Sequence, residues 1–308
     1  MEFGPHLILA MLEGLVQASV LTLTALGLSL VFGVMRVVNV AHGEFFMLGA
    51  VFAYAITDWL TGSAAVGFLA ALIIAPLLVA ALAVVCDRMI LRRLDYDPER
   101  TIVATIGILY VLQQVTLTTY GPDAHPVTPP FNQRLAITWS EFTDTGLEFY
   151  FPWGLSTTSY KLFVIAAACV AGLGIWILMA RSKLGLILRA TQLDRETAQA
   201  FGIPVERVYA FVFGLGAAIA ALGAVLVVPI QQAHYLMGGD PLLLSFIVVI
   251  IGGLGSLRGT VVAAILIGMS NGVISVFFTP TLAKILATLL VAFVLVYRPA
   301  GLFGTKVA

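Results

Sequence analysis

The stretch Val31-Phe32-Gly33-Val34-Met35-Arg36-Val37-Val38-Asn39-Val40-Ala41-His42-Gly43-Glu44-Phe45-Phe46-Met47-Leu48-Gly49-Ala50 joins two apolar runs through a polar, glycine-bearing break. A helix ending before Arg36 and another starting near Glu44 leave unwound backbone between them, and Asn39 and His42 carry the groups to satisfy it. Glu44 at a helix N-terminus is stabilised by the macrodipole. Gly49 and Ala53, four apart, give the new helix a small-residue face. A second break with the same grammar contains Gly252, Gly253, Gly255 and Gly259; it follows a short apolar run and precedes Ala263, Ala264, Gly268 and Gly272. Aligning Gly43-Glu44 with Gly259-Thr260 puts the two breaks in register and suggests an internal parallel repeat. Irregular backbone at membrane depth is tolerated where protein buries it or where it lines a path, so paired breaks point to a substrate route. Tight packing of glycine-bearing helices competes with that reading at any single glycine.

Outward from this stretch, the composition demands a membrane. Of 308 residues, 60% are hydrophobic and 10% charged, and the mean hydropathy is +1.04. Soluble domains carry far more charge. The 16 basic and 16 acidic residues cancel, leaving no cationic excess for phosphates, so a nucleic-acid partner is excluded. Cys86 and Cys169 have no metal-ligand or disulfide spacing and read as packing residues. A hydrocarbon core of ~30 Å takes about 20 helical residues. Apolar spans are read at 7–35, 44–60, 64–85, 101–120, 160–180, 208–230, 242–251, 260–278 and 282–297. The first is long and has no Lys or Arg before it, unlike a signal peptide; the span 242–251 is half-length. The expected fold class is an all-α polytopic membrane protein of about 8–9 transmembrane helices, two segments broken or short, in a single domain over 1–308.

Basic residues give the direction of the spans. One set of loop ends holds Arg36, Arg88, Arg92, Arg93, Arg100, Arg181, Lys183, Arg189, Arg195, Arg207, Arg258, Arg298 and Lys306; the other holds Arg134, Lys161 and Lys284. Thirteen against three makes the first set cytoplasmic. The N-terminus is then outside and the C-terminus cytoplasmic. Within the spans, Gly216, Ala220 and Ala224 form a small-residue stripe beside Gly214, Ala218 and Leu222, and Pro76 and Pro229 mark kinks or ends. Glu13 and Gln17, one turn apart, face either the bundle interior or the outer interface.

Two loops are long enough for structure of their own. The outside loop 121–159 opens with Pro122, Pro126, Pro129 and Pro130, then shows β-like runs at 135–140 and 147–151 around Asp144-Thr145-Gly146, which reads as a hairpin. Its aromatics, Trp139, Phe149, Tyr150, Phe151 and Trp153, suit an interfacial belt or a docking surface. In the cytoplasmic loop 181–207, Thr191-Gln192-Leu193-Asp194 has capping-box form. Asp194 and Glu196 suit the start of a short helix through Thr197, Ala198, Gln199, Ala200 and Phe201, ended by Gly202 with Pro204 beyond. An amphipathic surface helix is the plainer alternative.

No enzyme chemistry accompanies these features. The sequence lacks the phosphate-loop pattern, since Gly252-Gly253-Leu254-Gly255-Ser256-Leu257-Arg258-Gly259 has no lysine, and it lacks Gly-x-Ser-x-Gly and His-Glu-x-x-His. His6, His42, His125 and His234 are scattered, so no metal or other cofactor is expected.

The runs from Gly27 to Met35 and from Val38 to Ala50 closely resemble the permease subunits of branched-chain amino-acid ABC importers, the LivH type. The similarity continues through Leu188-Arg189-Ala190, Ala200-Phe201-Gly202-Ile203, Gly252-Gly253-Leu254-Gly255-Ser256 with Gly259, and Arg298-Pro299-Ala300-Gly301-Leu302-Phe303-Gly304. It extends over nearly the whole chain. The resemblance implies a multi-pass permease of the cell inner membrane that moves an amino-acid substrate by alternating access. Its partners would be a second related permease, two cytoplasmic ATPase subunits, a periplasmic or lipid-anchored solute-binding protein and membrane lipid. Asn39, His42, Gly43 and Glu44 would form a gate or hinge near the path, and the glycines of the second break would line it. Asp194, Glu196, Ala198, Ala200, Phe201 and Gly202 would couple to the ATPase, and the outside hairpin would help receive the binding protein. The chain departs from the family pattern at Arg258, where Pro is frequent, and at Leu244-Ser245, where Lys-Ala is frequent. Urea, short amides and aromatic acids are alternative substrates. A stand-alone secondary carrier or channel is the rival class, weakened because Glu13 and Glu44 are the only candidate carboxylates at membrane depth.

Overall fold

A computed structural model describes residues 3–60, 62–136, 139–143, 146–150, 156–297 and 301–303. Arg298 and Lys306 of the basic set, Asp144 and Thr145 of the turn, Phe151 and Trp153 of the aromatic set, and Pro299, Ala300 and Gly304 of the terminal motif lie outside the described residues. The fold is built around α1 (Phe3–Met35). It packs antiparallel against α8 (Val205–Gln231) and α10 (Leu257–Phe277). Lipid offers no hydrophobic drive between helices, so close approach needs small residues. Accordingly Gly27 meets Gly216 of α8, while Gly14 and Ala18 meet Gly272 and Gly268 of α10. The expected stripe on α8 is buried at Gly216, Ala220 and Ala224, whereas Gly214 on its flank packs on α3 (Ala64–Met89) through Val84 and Ala80.

Around this centre lie α2 (His42–Trp59), α4 (Pro98–Tyr120), α5 (Ser159–Arg181), α9 (Gly239–Gly252) and α11 (Pro280–Tyr297). Among the described residues, six helices are long and apolar enough to cross a membrane: α1, α3, α4, α5, α8 and α10. The short run read at 242–251 lies within α9, whose 14 residues rise about 21 Å, more than half the hydrocarbon core but less than the whole. Glu13 and Gln17 diverge around α1: Glu13 pairs with Lys161 of α5, and Gln17 accepts a 2.8 Å hydrogen bond from Asn271 of α10. Cys86 and Cys169 are free thiols.

Three expectations need correction. The fold is mostly helical, yet four short strands stand outside the bundle, and their pairing differs from a single hairpin over 135–140 and 147–151. Strand β2 (Trp139–Thr143) pairs with β3 (Gly146–Tyr150), while β1 (Arg134–Ala136) pairs with β4 (Ser156–Thr158). Thr143 stands opposite Gly146 and Trp139 opposite Tyr150, but this register does not continue into the outer pair, where Leu135 faces Thr157. The loop 181–207 is not a connector with one short helix. It contains α6 (Lys183–Leu193), capped by Ser182 through Gly185 N–H, before α7 (Arg195–Ala200). Thr191 therefore lies inside α6, donating to Ile187 O, and takes no part in a capping box.

Contacts between distant segments gather most of the basic loops at one end of the bundle. Arg36 at the end of α1 donates to Gln192 O of α6, and Arg92 pairs with Glu206 of α8 at 2.5 Å. Gly33 of α1 packs on Gly255, beside Arg258.

Candidate functional site

The first break does not simply link one helix to the next. Arg36 turns the chain with φ 56°, and residues 37–41 run unwound to His42. The His42 ring nitrogen Nε2 is 2.9 Å from Thr24 O, and Gly27 lies against the same ring. Thr24 is 11 residues before Met35, about 16 Å along the helix. The segment thus doubles back beside α1, and α2 starts inside the bundle. Its polar groups are partly met locally: Asn39 Oδ1 accepts from Ala41 N–H, and Val40 N–H donates to Thr105 Oγ1 of α4.

A second helix starts at the same place. The backbones of Gly43 and Gly238 touch, so a Cβ on either would collide with the other's carbonyl oxygen. Here α2 and α9 meet by their N-terminal ends, the positive poles of both macrodipoles. Glu44, 3% exposed, stands in the first turn of α2. Its Oε2 and the Nδ1 of fully buried His42 have no hydrogen-bond partner and no access to solvent. Unsatisfied buried polar atoms are costly and call for a functional or structural reason. Asn39, His42, Gly43 and Glu44 thus lie together at this point with Gly238 and Thr24, neither of which carries a signal in the sequence.

The second break lies elsewhere and is built differently. Gly252 packs on Gly259 across a tight turn in which Gly253 (φ 99°) and Gly255 (φ 77°) occupy the left-handed region, and Ser256 caps α10 by accepting from Gly259 N–H. Leu302 and Phe303 donate their N–H groups to Ile251 O and Gly252 O, satisfying the end of α9. Gly255 contacts Gly33 near the end of α1, about 2.5 turns from Thr24. The register suggested between Gly43-Glu44 and Gly259-Thr260 has no counterpart in these contacts, because one break reverses along α1 and the other closes on itself. Beside Gly255, a cavity of about 240 Å³ is lined by Ser29, Trp176, Arg189, Gln192 and Arg258, among others.

At the basic end, α7 is held by Asp194, whose Oδ1 accepts from Glu196 N–H (2.9 Å) and Thr197 N–H (3.2 Å) and whose Oδ2 accepts from Thr197 Oγ1 (2.5 Å). These bonds, the Thr197 hydroxyl first, hold the Asp194 carboxyl below the ordinary range. Gly202, at φ 83°, ends the turn. Phe201 is 84% exposed and Leu193 80%, with Glu196 and Ala200 also outward; Ala198 is buried beneath them. Two large apolar side chains, Leu193 and Phe201, are thus left exposed on either side of the capped turn. Among the described residues no cluster of three or more His, Cys, Asp or Glu could hold a metal ion.

Comparison with known proteins places the chain in a family. A family model described as "Branched-chain amino acid transport system / permease component" matches residues 10–295. The high-affinity branched-chain amino acid transport system permease protein LivH of Escherichia coli K12 is 25% identical over 311 residues, covering 96% of this chain and 94% of its own. BraD, of the same description, from Pseudomonas aeruginosa PAO1 is 26% identical over 310 residues, covering 97% and 96%. A probable LivH from Methanocaldococcus jannaschii is 24% identical, covering 95% and 91%. No solved structure matches significantly.

Proposed function

From the premise that this chain belongs to the branched-chain amino acid transport permease family, we propose that it is the membrane-spanning subunit of an ATP-driven importer of the inner membrane, moving branched-chain or related amino acids by alternating access. The observation that carries the reading is the contact of Gly43 with Gly238, where two helix starts close on each other inside the bundle beside buried Glu44. Parting them opens a passage flanked by two helix N-termini, which favour a carboxylate, and by a glutamate, which favours an ammonium. A zwitterionic amino acid offers both charges. The Asp194-capped turn with Phe201 is the surface for the cytoplasmic ATPase, which supplies the hydrolysis this chain's sequence does not provide for. A second permease and a solute-binding protein complete the transporter, and the strands at 134–158 face the latter. The basic end is cytoplasmic and the N-terminus external.

Reconstitution with these partners in proteoliposomes is the test. ATP-dependent leucine uptake is expected, reduced several-fold in Glu44→Gln with the assembled complex intact. Wild-type uptake by Glu44→Gln would remove the carboxylate from the mechanism, and uptake by the purified chain alone, driven by an ion gradient, would overturn the ABC reading.

A further inference from the structure

Arg195, the first residue of α7, is itself exposed, but its guanidinium lies against two aromatic rings of the bundle. Its guanidinium lies 5.9 Å from the centre of the Tyr96 ring and 5.6 Å from that of Tyr209. Both are within the range of a cation–π contact. The two rings meet edge to face at 4.7 Å and 83°, forming an aromatic corner around the cation. Tyr209 belongs to α8 and is 4% exposed; Tyr96 lies in the α3–α4 connection and is 6% exposed.

The Tyr96 side of the corner is held unusually. Asp95 (φ 52°) and Tyr96 (φ 57°) are consecutive non-glycine residues in the left-handed region. Bulky residues rarely adopt it, and such strain persists where surrounding contacts over-determine the position. The contact that benefits is internal: Tyr96 OH donates to Asp87 Oδ2 at 3.4 Å, and Asp87 is a fully buried carboxylate on α3. Burial and the neighbouring Asp87 push the Tyr96 phenol above its ordinary range, so it keeps its proton and remains a donor. Arg195, Tyr96 and Asp87 therefore make one continuous line from α7 into α3, and Tyr209 makes a second into α8. Those two helices pack directly on one another at Gly214, and α8 touches the start of α2 through Phe45 and Phe213, 5.7 Å apart.

We propose that Arg195, clamped between Tyr96 and Tyr209, is the positioning residue that transmits displacement of α7 to α3 and α8, and through α8 to the helix start at Gly43. The inference rests on α7 being the ATPase-docking element. Rigid helices carry a push only through contacts that do not slip. Phe201 and Glu196 point outward, whereas Arg195 touches α8 through Tyr209 and the α3–α4 connection through Tyr96.

Hydrogen–deuterium exchange of the assembled transporter, with and without vanadate-trapped nucleotide, separates the two ideas without needing to know the substrate. In the wild type, trapping is expected to change exchange both at 195–201 and at 87–97 and 205–212. In Arg195→Gln the change at 195–201 persists while that at 87–97 and 205–212 falls several-fold. Arg195→Lys, which keeps the cation, restores part of it, and a merely structural role would not follow that order. Tyr209→Leu, should Arg195→Gln fail to assemble, is expected to lose the change at 205–212 alone. Propagation retained in Arg195→Gln, or in Tyr209→Leu where that variant stands in, overturns the clamp and leaves the docking role of α7 standing. No change at 195–201 in the wild type overturns the docking role and the clamp with it.

Discussion

Gly43 and Gly238 face each other backbone to backbone, so neither has space for a methyl group. Gly43→Ala must part α2 from α9 or shift both, at a cost of about 1–3 kcal/mol typical of overpacking. The expected outcome is a lowered melting temperature and lost uptake. Gly107 is the internal control: nothing lies within 4 Å of an added Cβ, so Gly107→Ala in the middle of α4 should be neutral or slightly stabilising. Thermal unfolding followed by fluorescence-detected size exclusion distinguishes the two, and equal behaviour would remove the close contact from the account. At this scale the sequence was informative where a residue type is forced. Asn39, His42, Gly43 and Glu44 stood out as polar groups between apolar runs, and Asp194 and Gly202 as helix punctuation. Gly238 was invisible, since a glycine in a loop has many ordinary uses and only its partner across the bundle makes it necessary.

Among the elements, α7 is the one whose order depends on a single acid. Asp194 accepts three hydrogen bonds there. Its folded-state affinity for a proton is lowered, so the stabilisation it gives is present above the unfolded value near 3.8 and lost as pH falls through the lower folded value. Amide protection at 196–200 should be unchanged between pH 7 and about 5 and drop only in stronger acid. Asp194→Ala should lack protection at every pH, while Asp194→Asn, a comparable cap, should keep most of it without the acid transition. Exchange in Asp194→Ala identical to wild type at pH 7 would contradict the assignment. The neighbouring α6 was missed because Lys183–Leu193 is short, interrupted by Gly185 and continuous with charged residues, a pattern that reads equally as loop. What decides for helix is the Ser182 cap together with burial of Gly185, Leu188 and Thr191 against the bundle. The outer strands show the reverse case: a hairpin around 144–146 was legible, but the β1–β4 pair was not, because Ser156–Thr158 is a short polar run that pairs with the distant Arg134–Ala136.

For the molecule as a whole, the arrangement predicts sidedness. Impermeant maleimide applied to intact cells should label a cysteine placed at the exposed Asp123 and should leave one placed at Phe201 unlabelled until the membrane is opened. Background from Cys86 and Cys169 is measured in the parent chain. The opposite pattern would invert the topology inferred from the basic residues.

The sequence by itself determined the membrane setting, the positions of the apolar helices and the family, because hydropathy, helix punctuation and glycine spacing are local properties that each residue carries with it. It also marked the two breaks. Only the tertiary structure decided that they are unlike: the first turns back about 16 Å along α1 to meet Gly238, and the second folds tightly on Gly259 beside the chain's end. The same holds for Arg195, which in sequence is one more cytoplasmic cation and in space lies against two tyrosines, one on α8 and one in the α3–α4 connection. Such contacts depend on distance and direction between separate segments of the chain, which no local pattern encodes.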